Sequence, residues 1–354
     1  MRPRLIVLLC AAACLAGRPA EAALAALAAR DLGVLYKRGD ALSEGAARAY
    51  QSARGIPGPN LVALNVPDSA RISPEAANAL RAEAWRLLPP HVRAVVLVWT
   101  RPYAAGCMSI TTAFAAGYRG ALCEPGCGRT EFSPLYDADS LEGAAQLGWR
   151  PAMLFPVDGV RAGRELAMRG VRADGTHPIG TVYLVDTNDT ARNVRAGSFE
   201  QVIRTYASQV RVVRIRDSDA TLRSDVLGYF TGVARVRHLD ELKFEPGAVA
   251  DHLTSTAGVL DSTDQMSVLA WLRAGATGSY GTVSEPCNHI GKFPSPQVFL
   301  GHYLRGETLI EAYWKSVAMP GQGLFVGEPL ARPYGPTRSR GGLRGRGLES
   351  AVPR

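Results

Sequence analysis

The sequence predicts an α/β protein with a mostly parallel sheet flanked by helices. Short apolar runs have the character of buried strands, helix-like segments lie between them, and the two kinds alternate along the chain. Apolar residues make up 47% of the 354 residues, which is enough for one large domain or two modest ones. The alternation decides the fold class, because neighbouring parallel strands must be joined by a crossover, usually a helix.

The first unit of this alternation covers residues 61–99. Two apolar runs, LVALNV (61–66) and VRAVVLVW (92–99), are predicted strands. The segment between them, SPEAANALRAEAWRLL, is a predicted helix with Ser73 as N-cap and Pro74 at its first position. Strand, helix and strand in this order form one βαβ unit.

The second half continues the pattern with several more strands and helices. The predicted strands are GTVYLVD (180–186), VRVVRI (210–215), DVLGYF (225–230), GAVAD (247–251), TGSYGTV (277–283) and GLFVG (323–327). The predicted helices are residues 198–209, DQMSVLAWLRAG (264–275) and TLIEAYWKSV (308–317). We interpret GATGSYG as strand whose glycines permit close packing, since no lysine follows to complete a phosphate loop.

The first 22 residues have the pattern of a secretory signal. Two arginines precede the apolar residues 5–17, and Ala20-Glu21-Ala22 forms a small-residue cleavage site. The sequence therefore predicts export to the periplasm or beyond the cell. A lipid anchor through Cys14 is the less favoured alternative, because Ala11 takes the place of the usual leucine. No other segment is apolar enough for a membrane span.

The formal net charge of +8 is unevenly distributed. Most of the excess lies in the signal and in residues 332–354, so the body between them is close to neutral. A nucleic-acid surface is therefore not indicated. The tail is rich in glycine, proline and arginine, and we expect it to be disordered and solvated rather than a polyanion-binding arm.

Four cysteines remain after the predicted cleavage: Cys107, Cys123, Cys127 and Cys287. An even number in an oxidising compartment favours disulfides, and the sequence leaves their pairing open. Three of the four lie in residues 101–150, a segment rich in glycine that we interpret as a long insertion. The spacing of Cys123 and Cys127 also fits a metal site, but no histidine lies nearby to complete one.

The C-terminal third resembles caspase-like peptidases of the gingipain and CHAT-domain type. The resemblance is carried by LAWLRAGATGSYGTVSEP (269–286), YLRGETLIEAYWKSV (303–317) and GLFVGEPL (323–330), where Glu328 replaces the usual aspartate. It implies a caspase-like sheet in residues 151–331, after an N-terminal α/β region in residues 23–100. Through SARGIPGPN and ADHLTSTAG, the chain is also similar to an uncharacterised family of exported bacterial proteins.

The resemblance implies where a catalytic dyad would stand. In such peptidases a histidine, usually followed by glycine, ends one strand and a cysteine ends the next, so that a thiolate attacks the carbonyl carbon. Here Thr231 precedes Gly232, and Ser255 falls roughly at the position of the cysteine. Because both dyad residues are replaced, we predict a binding scaffold without catalysis or cofactor, whose ligand is a peptide, a glycan or a protein.

Two alternative hypotheses would make the protein an exported hydrolase. In the first, His252 activates Ser255, with Asp251 or Glu285 as orienting group. Against it, Asp251 and His252 are adjacent and would point to opposite faces of a strand, and no Gly-x-Ser-x-Gly elbow surrounds the serine. In the second, Cys287 acts beside His252 or His289, although a disulfide is the more common fate of an exported cysteine.

Weaker signals concern metals. Asp251, His252, Glu285, Cys287 and His289 include zinc-ligand types but lack a recognised spacing. Asp186, Asn188 and Asp189 offer hard oxygens for calcium, without the glycine and distal glutamate of an EF-hand. We therefore predict no metal, and we assign no role to the isolated histidines His91, His177, His238 and His302.

Overall fold

A computed structural model describes residues 26–124, 126–216 and 222–337. The predicted signal segment and residues 338–354 of the predicted tail lie outside the described residues. The strands are β1 (Leu32–Lys37), β2 (Leu61–Leu64), β3 (Arg71–Ile72), β4 (Ala94–Val98), β5 (Ala104–Ala105), β6 (Met108–Ser109), β7 (Ala152–Leu154), β8 (Thr181–Asp186), β9 (Arg211–Arg216), β10 (Arg223–Thr231), β11 (Leu242–His252), β12 (Gly278–Thr282) and β13 (Gly323–Gly327). The helices are α1 (Ala41–Arg54), α2 (Pro74–Leu87), α3 (Ile110–Ala116), α4 (Val160–Ala173), α5 (Phe199–Tyr206), α6 (Leu269–Ala274), α7 (Pro296–Leu304) and α8 (Leu309–Ser316).

Ten of these strands form one sheet in the order β2-β1-β4-β7-β13-β12-β11-β10-β8-β9. Strands β2, β1, β4 and β7 pair in parallel, and so do β12, β11, β10, β8 and β9. Strand β13 is antiparallel to β12 and joins β7 through a single residue pair. The predicted fold class, a mostly parallel sheet flanked by helices, is confirmed.

The carboxyl ends of β4, from the N-terminal half of the chain, and of β11 and β12, from the C-terminal half, lie at a common edge of the sheet. Asp261, beyond β11, accepts hydrogen bonds from Arg101 at 2.7 Å and from Tyr103 at 2.5 Å, both beyond β4. The Ser284 hydroxyl, beyond β12, donates to the carbonyl of Cys107 at 2.7 Å. This shared edge is where open α/β sheets place their ligand sites.

Local signals explain the boundaries of the predicted elements. Ser73 caps α2 by accepting from the Ala76 N–H at 3.2 Å, as the sequence predicts. Helix α6 begins at Leu269, five residues later than predicted. The preceding Gln265 and Met266 use their side-chain and backbone oxygens to hold the loop after β11. Hydrogen bonding to this loop therefore replaces a helical turn.

Helix α1 was not predicted from the sequence, although its caps are regular. The Asp40 carboxylate accepts from the N–H groups of Leu42 and Ser43 at 3.0 Å. At the other end Gly55 adopts a left-handed conformation with φ of 64°, which suits glycine because it has no Cβ. The small apolar face of the helix, mainly Ala46 and Ala47, gave little periodic signal.

The segment 101–150 is more ordered than an insertion. Its helix α3 is buried and packs beside β7 and β13, with Ser109 as N-cap accepting from the Thr112 N–H at 3.0 Å. Disulfides Cys107–Cys123 and Cys127–Cys287 cross-link the rest of the segment. The predicted disulfides are therefore confirmed. The interpretation of the whole segment as an irregular insertion is therefore wrong, because α3 forms part of the layer that covers the sheet.

The folded body extends past residue 331. The Arg332 N–H donates to Asp174 Oδ1 at 3.0 Å, and the Tyr334 ring packs edge-on against Tyr303, with centroids 6.1 Å apart. Residues 332–335 therefore belong to the body rather than to the predicted tail.

A buried carboxylate joins the two halves of the sheet. Glu328, directly after β13, is fully buried and accepts from the Tyr50 hydroxyl at 2.6 Å and from Arg54 Nε at 3.0 Å. A second guanidinium nitrogen of Arg54 forms an ion pair with its other oxygen. Burial by itself lowers the pKa of Arg54, but the contacts with Glu328 raise it above its ordinary value. The pair thus fixes the end of α1 to the end of β13.

We expect Glu328→Gln to destabilise the protein by up to about 3–5 kcal/mol, because it removes the fully buried one of the two carboxylates that pair with Arg54 and leaves only Asp174, at 2.5 Å from Nη1. Urea unfolding at pH 7 measures the change. Glu44→Gln is the matched control: it removes the exposed Arg48–Glu44 pair, and we expect a loss of at most about 0.5 kcal/mol. Equal losses in the two variants would contradict a dominant role for the buried pair.

Candidate functional site

The structure brings the two predicted dyad positions to adjacent strand ends. Strands β10 and β11 are parallel neighbours, with Thr231 opposite His252 in their register. Thr231 ends β10 and is buried, whereas Ser255 lies three residues beyond the end of β11 and is half-buried. In the described part of the chain the Ser255 hydroxyl has no hydrogen-bond partner. Its carbonyl accepts from the Thr282 hydroxyl at 2.9 Å.

The imidazole of His252 is directed into the protein interior. Nε2 lies 2.9 Å from the Met266 carbonyl oxygen, and Nδ1 accepts from the Trp271 indole N–H at 2.9 Å. Since the indole nitrogen can only donate, Nδ1 is unprotonated and Nε2 carries the proton that it donates to Met266. Both ring nitrogens are therefore occupied, and neither is available to Ser255.

Burial keeps this imidazole neutral. It lowers the pKa of His252 to about 4, only partly opposed by the hydrogen bond to Met266. The side chain is 1% exposed and packs edge-on against Trp271, with ring centroids 5.9 Å apart. Such a histidine contributes to the core rather than to proton transfer at the surface.

Asp251 lies on the opposite face of β11, as its position next to His252 predicts. Its Oδ1 forms an ion pair with Arg195 at 2.6 Å, and that arginine also donates to the Thr231 carbonyl at 2.6 Å. Burial raises the pKa of Asp251, although the arginine opposes the shift. The predicted orienting group of a Ser255–His252 pair is thus engaged elsewhere.

The protein's own chain covers these strand ends. Arg192 Nε donates to the Thr254 hydroxyl at 2.9 Å, and Thr254 in turn donates to Gln265 at 2.8 Å. A Cβ at Gly232 would lie 2.0 Å from the Arg192 carbonyl oxygen, so the backbone of the loop after β8 rests directly on Gly232. Glycine is required at this position by close packing rather than by an adjacent catalytic histidine.

Close packing also explains the glycines of β12. A Cβ at Gly281 would lie 2.7 Å from the Cβ of Ala257 and 2.7 Å from the Gly258 nitrogen. The GATGSYG segment is therefore strand and adjoining turn, as predicted, and its glycines let the loop after β11 approach the sheet.

Cys287 has no free thiol in this structure, because it is bonded to Cys127. Its N–H donates to Glu285 Oε1 at 2.7 Å, which stabilises the turn. The hypothesis of Cys287 as nucleophile is therefore wrong for the oxidised protein. Within the described residues, Nδ1 of His289 is buried without a hydrogen-bond partner, but no thiol is available for it to activate.

The weak metal candidates are not assembled into a site. No group of three or more histidine, cysteine, aspartate or glutamate side chains in the described ranges could hold a metal ion. Asp186 binds Asn193 and Arg214 instead, and hydrogen bonds from these two side chains lower its pKa. Asp189 pairs with Arg192. These oxygens are therefore used for internal contacts.

Sequence reasoning missed a basic groove on another part of the surface. It has a volume of about 670 Å³ and lies between α4, α6 and the beginning of β11. Its charged residues are four cations and one carboxylate: Arg169, Arg172, Lys243, Arg273 and Asp240. Leu242, Phe244 and Pro246 contribute apolar surface. Arg169 and Arg172 both lie on α4, but Lys243 and Arg273 are far from them in sequence, so no local sequence pattern indicates the groove.

Comparison with known proteins gives little beyond the fold. No protein-family model and no curated protein matches the sequence. A solved structure described as "Structure of Protease" is similar, with 11% sequence identity and a TM-score of 0.47 over 86% of this chain and 79% of that chain. At this identity the likeness concerns only the path of the chain. The chain is an α/β protein with a mostly parallel ten-stranded sheet flanked by helices.

Two observations bear on the compartment. The structure contains two disulfides, which are typical of exported proteins. Among the described residues, no helix has the length and apolar character that a bilayer span requires.

We expect His252 to make the protein less stable as the pH falls. Its pKa is about 4 when folded and near 6.5 when unfolded, so the unfolded chain binds more protons in this window. The stabilisation is complete above pH 6.5, and about 2–3 kcal/mol of it is lost between pH 7 and pH 4.5.

Urea unfolding across this range measures the effect in the wild type and in His252→Gln, whose amide can still donate and accept but does not titrate. The exposed His238→Gln variant is the control and should keep the wild-type slope. A wild-type slope in His252→Gln would mean that His252 is solvated and titrates normally.

Proposed function

We propose that this protein is an exported, non-catalytic binding protein built on a caspase-like sheet. The observation that carries the proposal is the state of His252, whose ring nitrogens are both hydrogen-bonded inside the core. The strand end where a peptidase of this type needs its base instead has Thr231, and Cys287 is in a disulfide. Ser255 is left without a residue to activate it.

The rate contributions that are missing at Ser255 are large enough to support the absence of peptidase activity. A positioned general base contributes about 10²–10⁴ in rate, and a serine hydroxyl is a weak nucleophile without one. Near the end of β11, Asp251 and Arg195 neutralise each other in a buried pair. Amide cleavage through Ser255 would therefore lack both activation of the nucleophile and a proton donor for the leaving group.

The basic groove is the surface that we assign to the partner. The folded body is close to neutral as a whole, yet four cations surround this one groove against a single carboxylate. Neither Arg172 nor Lys243 has a carboxylate partner in the described part of the chain. An acidic polypeptide segment with interspersed apolar side chains complements both the charges and the surface of Phe244.

We expect the folded, oxidised protein not to react with active-site probes. Without an adjacent base, Ser255 should leave a fluorophosphonate unreacted, and the Cys127–Cys287 disulfide should exclude iodoacetamide. Intact-mass spectrometry and peptide mapping measure the labelling, and a serine hydrolase of known activity serves as positive control. Stoichiometric adduct on Ser255 would overturn the proposal in favour of a hydrolase.

For the groove, we expect Arg172→Glu combined with Lys243→Glu to weaken the binding of a fluorescein-labelled peptide of alternating glutamate and leucine. Fluorescence polarisation at about 50 mM salt should show at least a tenfold loss, because two attractive charges become repulsive. The control is Arg48→Glu with Arg204→Glu, the same charge change on α1 and α5. Equal losses in both double variants would reduce the effect to net charge and would refute the groove.

A further inference from the structure

The chain reverses its direction of winding through the sheet at two places. From β1 it passes by α1 to β2 on one side, and it later returns to place β4 on the other side of β1. It repeats this course from β8 to β9 and back to β10. In open α/β sheets, the crevice beyond the carboxyl ends of two strands at such a reversal is the usual ligand site.

At the β8–β10 reversal the protein fills the crevice itself. The Thr187 hydroxyl donates to the Gly232 carbonyl at 2.8 Å, and the Asn193 side chain donates to Asp186 at 2.6 Å. The Arg192 backbone lies against Gly232, as described above. At the other reversal the Ser43 hydroxyl bridges the ends of β1 and β4, accepting from the Lys37 N–H at 2.9 Å and donating to the Val98 carbonyl at 2.5 Å.

At the β1–β4 reversal there is a cavity of about 160 Å³. It is lined by residues that end β1, begin α1, and follow β2 and β4: Lys37, Asp40, Ser43, Asp68, Thr100 and Arg101. A water molecule occupies about 30 Å³ of liquid, so the space accommodates roughly five waters or one small organic anion.

The side chain of Lys37 is only 8% exposed, and Lys37 lines this cavity. In the described residues the ammonium has one hydrogen-bond partner, Asp68 Oδ1 at 3.0 Å, and the Asp68 side chain is 88% exposed. An ion pair with so exposed a partner is worth about 0–1 kcal/mol, whereas withdrawing an ammonium from water costs several. The charge of Lys37 is therefore poorly compensated by the protein.

Lys315 is the other buried lysine with a carboxylate partner among the described residues, and its charge is better compensated than that of Lys37. Lys315 Nζ lies 2.7 Å from Glu307, whose side chain is only 15% exposed, and it also donates to the Asp139 carbonyl at 3.2 Å. Lys37 has no second acceptor of this kind. The chain has only four lysines, Lys37, Lys243, Lys292 and Lys315, so a lysine buried at a strand reversal stands out against the many arginines.

The remaining charges at the cavity leave Lys37 as its anchor. The N-terminus of the 14-residue helix α1 adds positive potential, although Asp40 already accepts its free Leu42 and Ser43 N–H groups. Arg101 is paired with Asp261 across the sheet edge.

We propose that this crevice binds a small anion through the Lys37 ammonium, with a carboxylate or phosphate group taking the place of the Asp68 carboxylate. The part of the ligand inside the cavity is its charged group with a few further heavy atoms, because a volume of about 160 Å³ admits no more. This site is separate from Thr231 and Ser255 and from the basic groove. The proposed anion site does not depend on whether the protein is catalytic.

NMR of the protein with isotope-labelled lysine tests the proposal, because only four lysine side-chain signals need to be resolved. Sodium phosphate and sodium acetate are titrated separately at constant ionic strength. We expect one lysine signal, absent in Lys37→Met, to shift and saturate. Saturation by phosphate alone or by acetate alone identifies the preferred group. A Lys37 signal that saturates with neither anion below about 100 mM would overturn the proposal.

Two variants sharpen the test. Asp68→Asn removes the competing carboxylate while keeping the ammonium, and we expect it to tighten anion binding about threefold to tenfold. Arg204→Gln removes an exposed positive charge on α5 and should leave the titration of Lys37 unchanged. Equal or weaker binding in Asp68→Asn would show that the exposed carboxylate does not occupy an anion site. This outcome is informative even if Lys37→Met fails to fold.

Discussion

The buried pair of Arg54 and Glu328 is the contact on which the rest of the arrangement depends. A carboxylate withdrawn from water needs several donors, and Glu328 obtains them from Tyr50, Arg54 and the Leu330 N–H. The helix beside it must approach closely, since a Cβ at Gly170 would collide with the Glu328 side chain. Glu328 thereby fixes α1 and α4 against the end of β13, the strand that pairs with both β7 and β12.

The same requirement governs the strand ends where chemistry would be expected. Asp251 is neutralised by Arg195, and His252 is kept neutral between Trp271 and the Met266 carbonyl. Asp251 and His252 thus each have a partner inside the protein, which stabilises the fold and removes these two side chains from solvent. Catalysis needs the opposite, a titrating group whose hydrogen bonds are completed only by substrate.

Surface charge is concentrated where internal partners are lacking. At the β8–β10 reversal the loop after β8 occupies the crevice, whereas at the β1–β4 reversal Lys37 faces a cavity with only an exposed aspartate beside it. The basic groove has four cations, of which Arg273 pairs with Asp158, whereas Arg172 and Lys243 have no carboxylate partner among the described residues. The groove thus has an excess of positive charge, whereas the crevice is lined by two cations and two carboxylates, with Lys37 as its buried cation.

By itself the sequence determined the alternation of strands and helices, the cap at Ser73, the two disulfides as a class and the absence of His and Cys at residues 231 and 255. These depend on local pattern and residue type. The tertiary structure alone decided the disulfide pairing, the burial of α3, the partners of His252 and the cavity at Lys37. Each of these joins residues far apart in sequence, and their contacts are set by how the strands are ordered across the sheet.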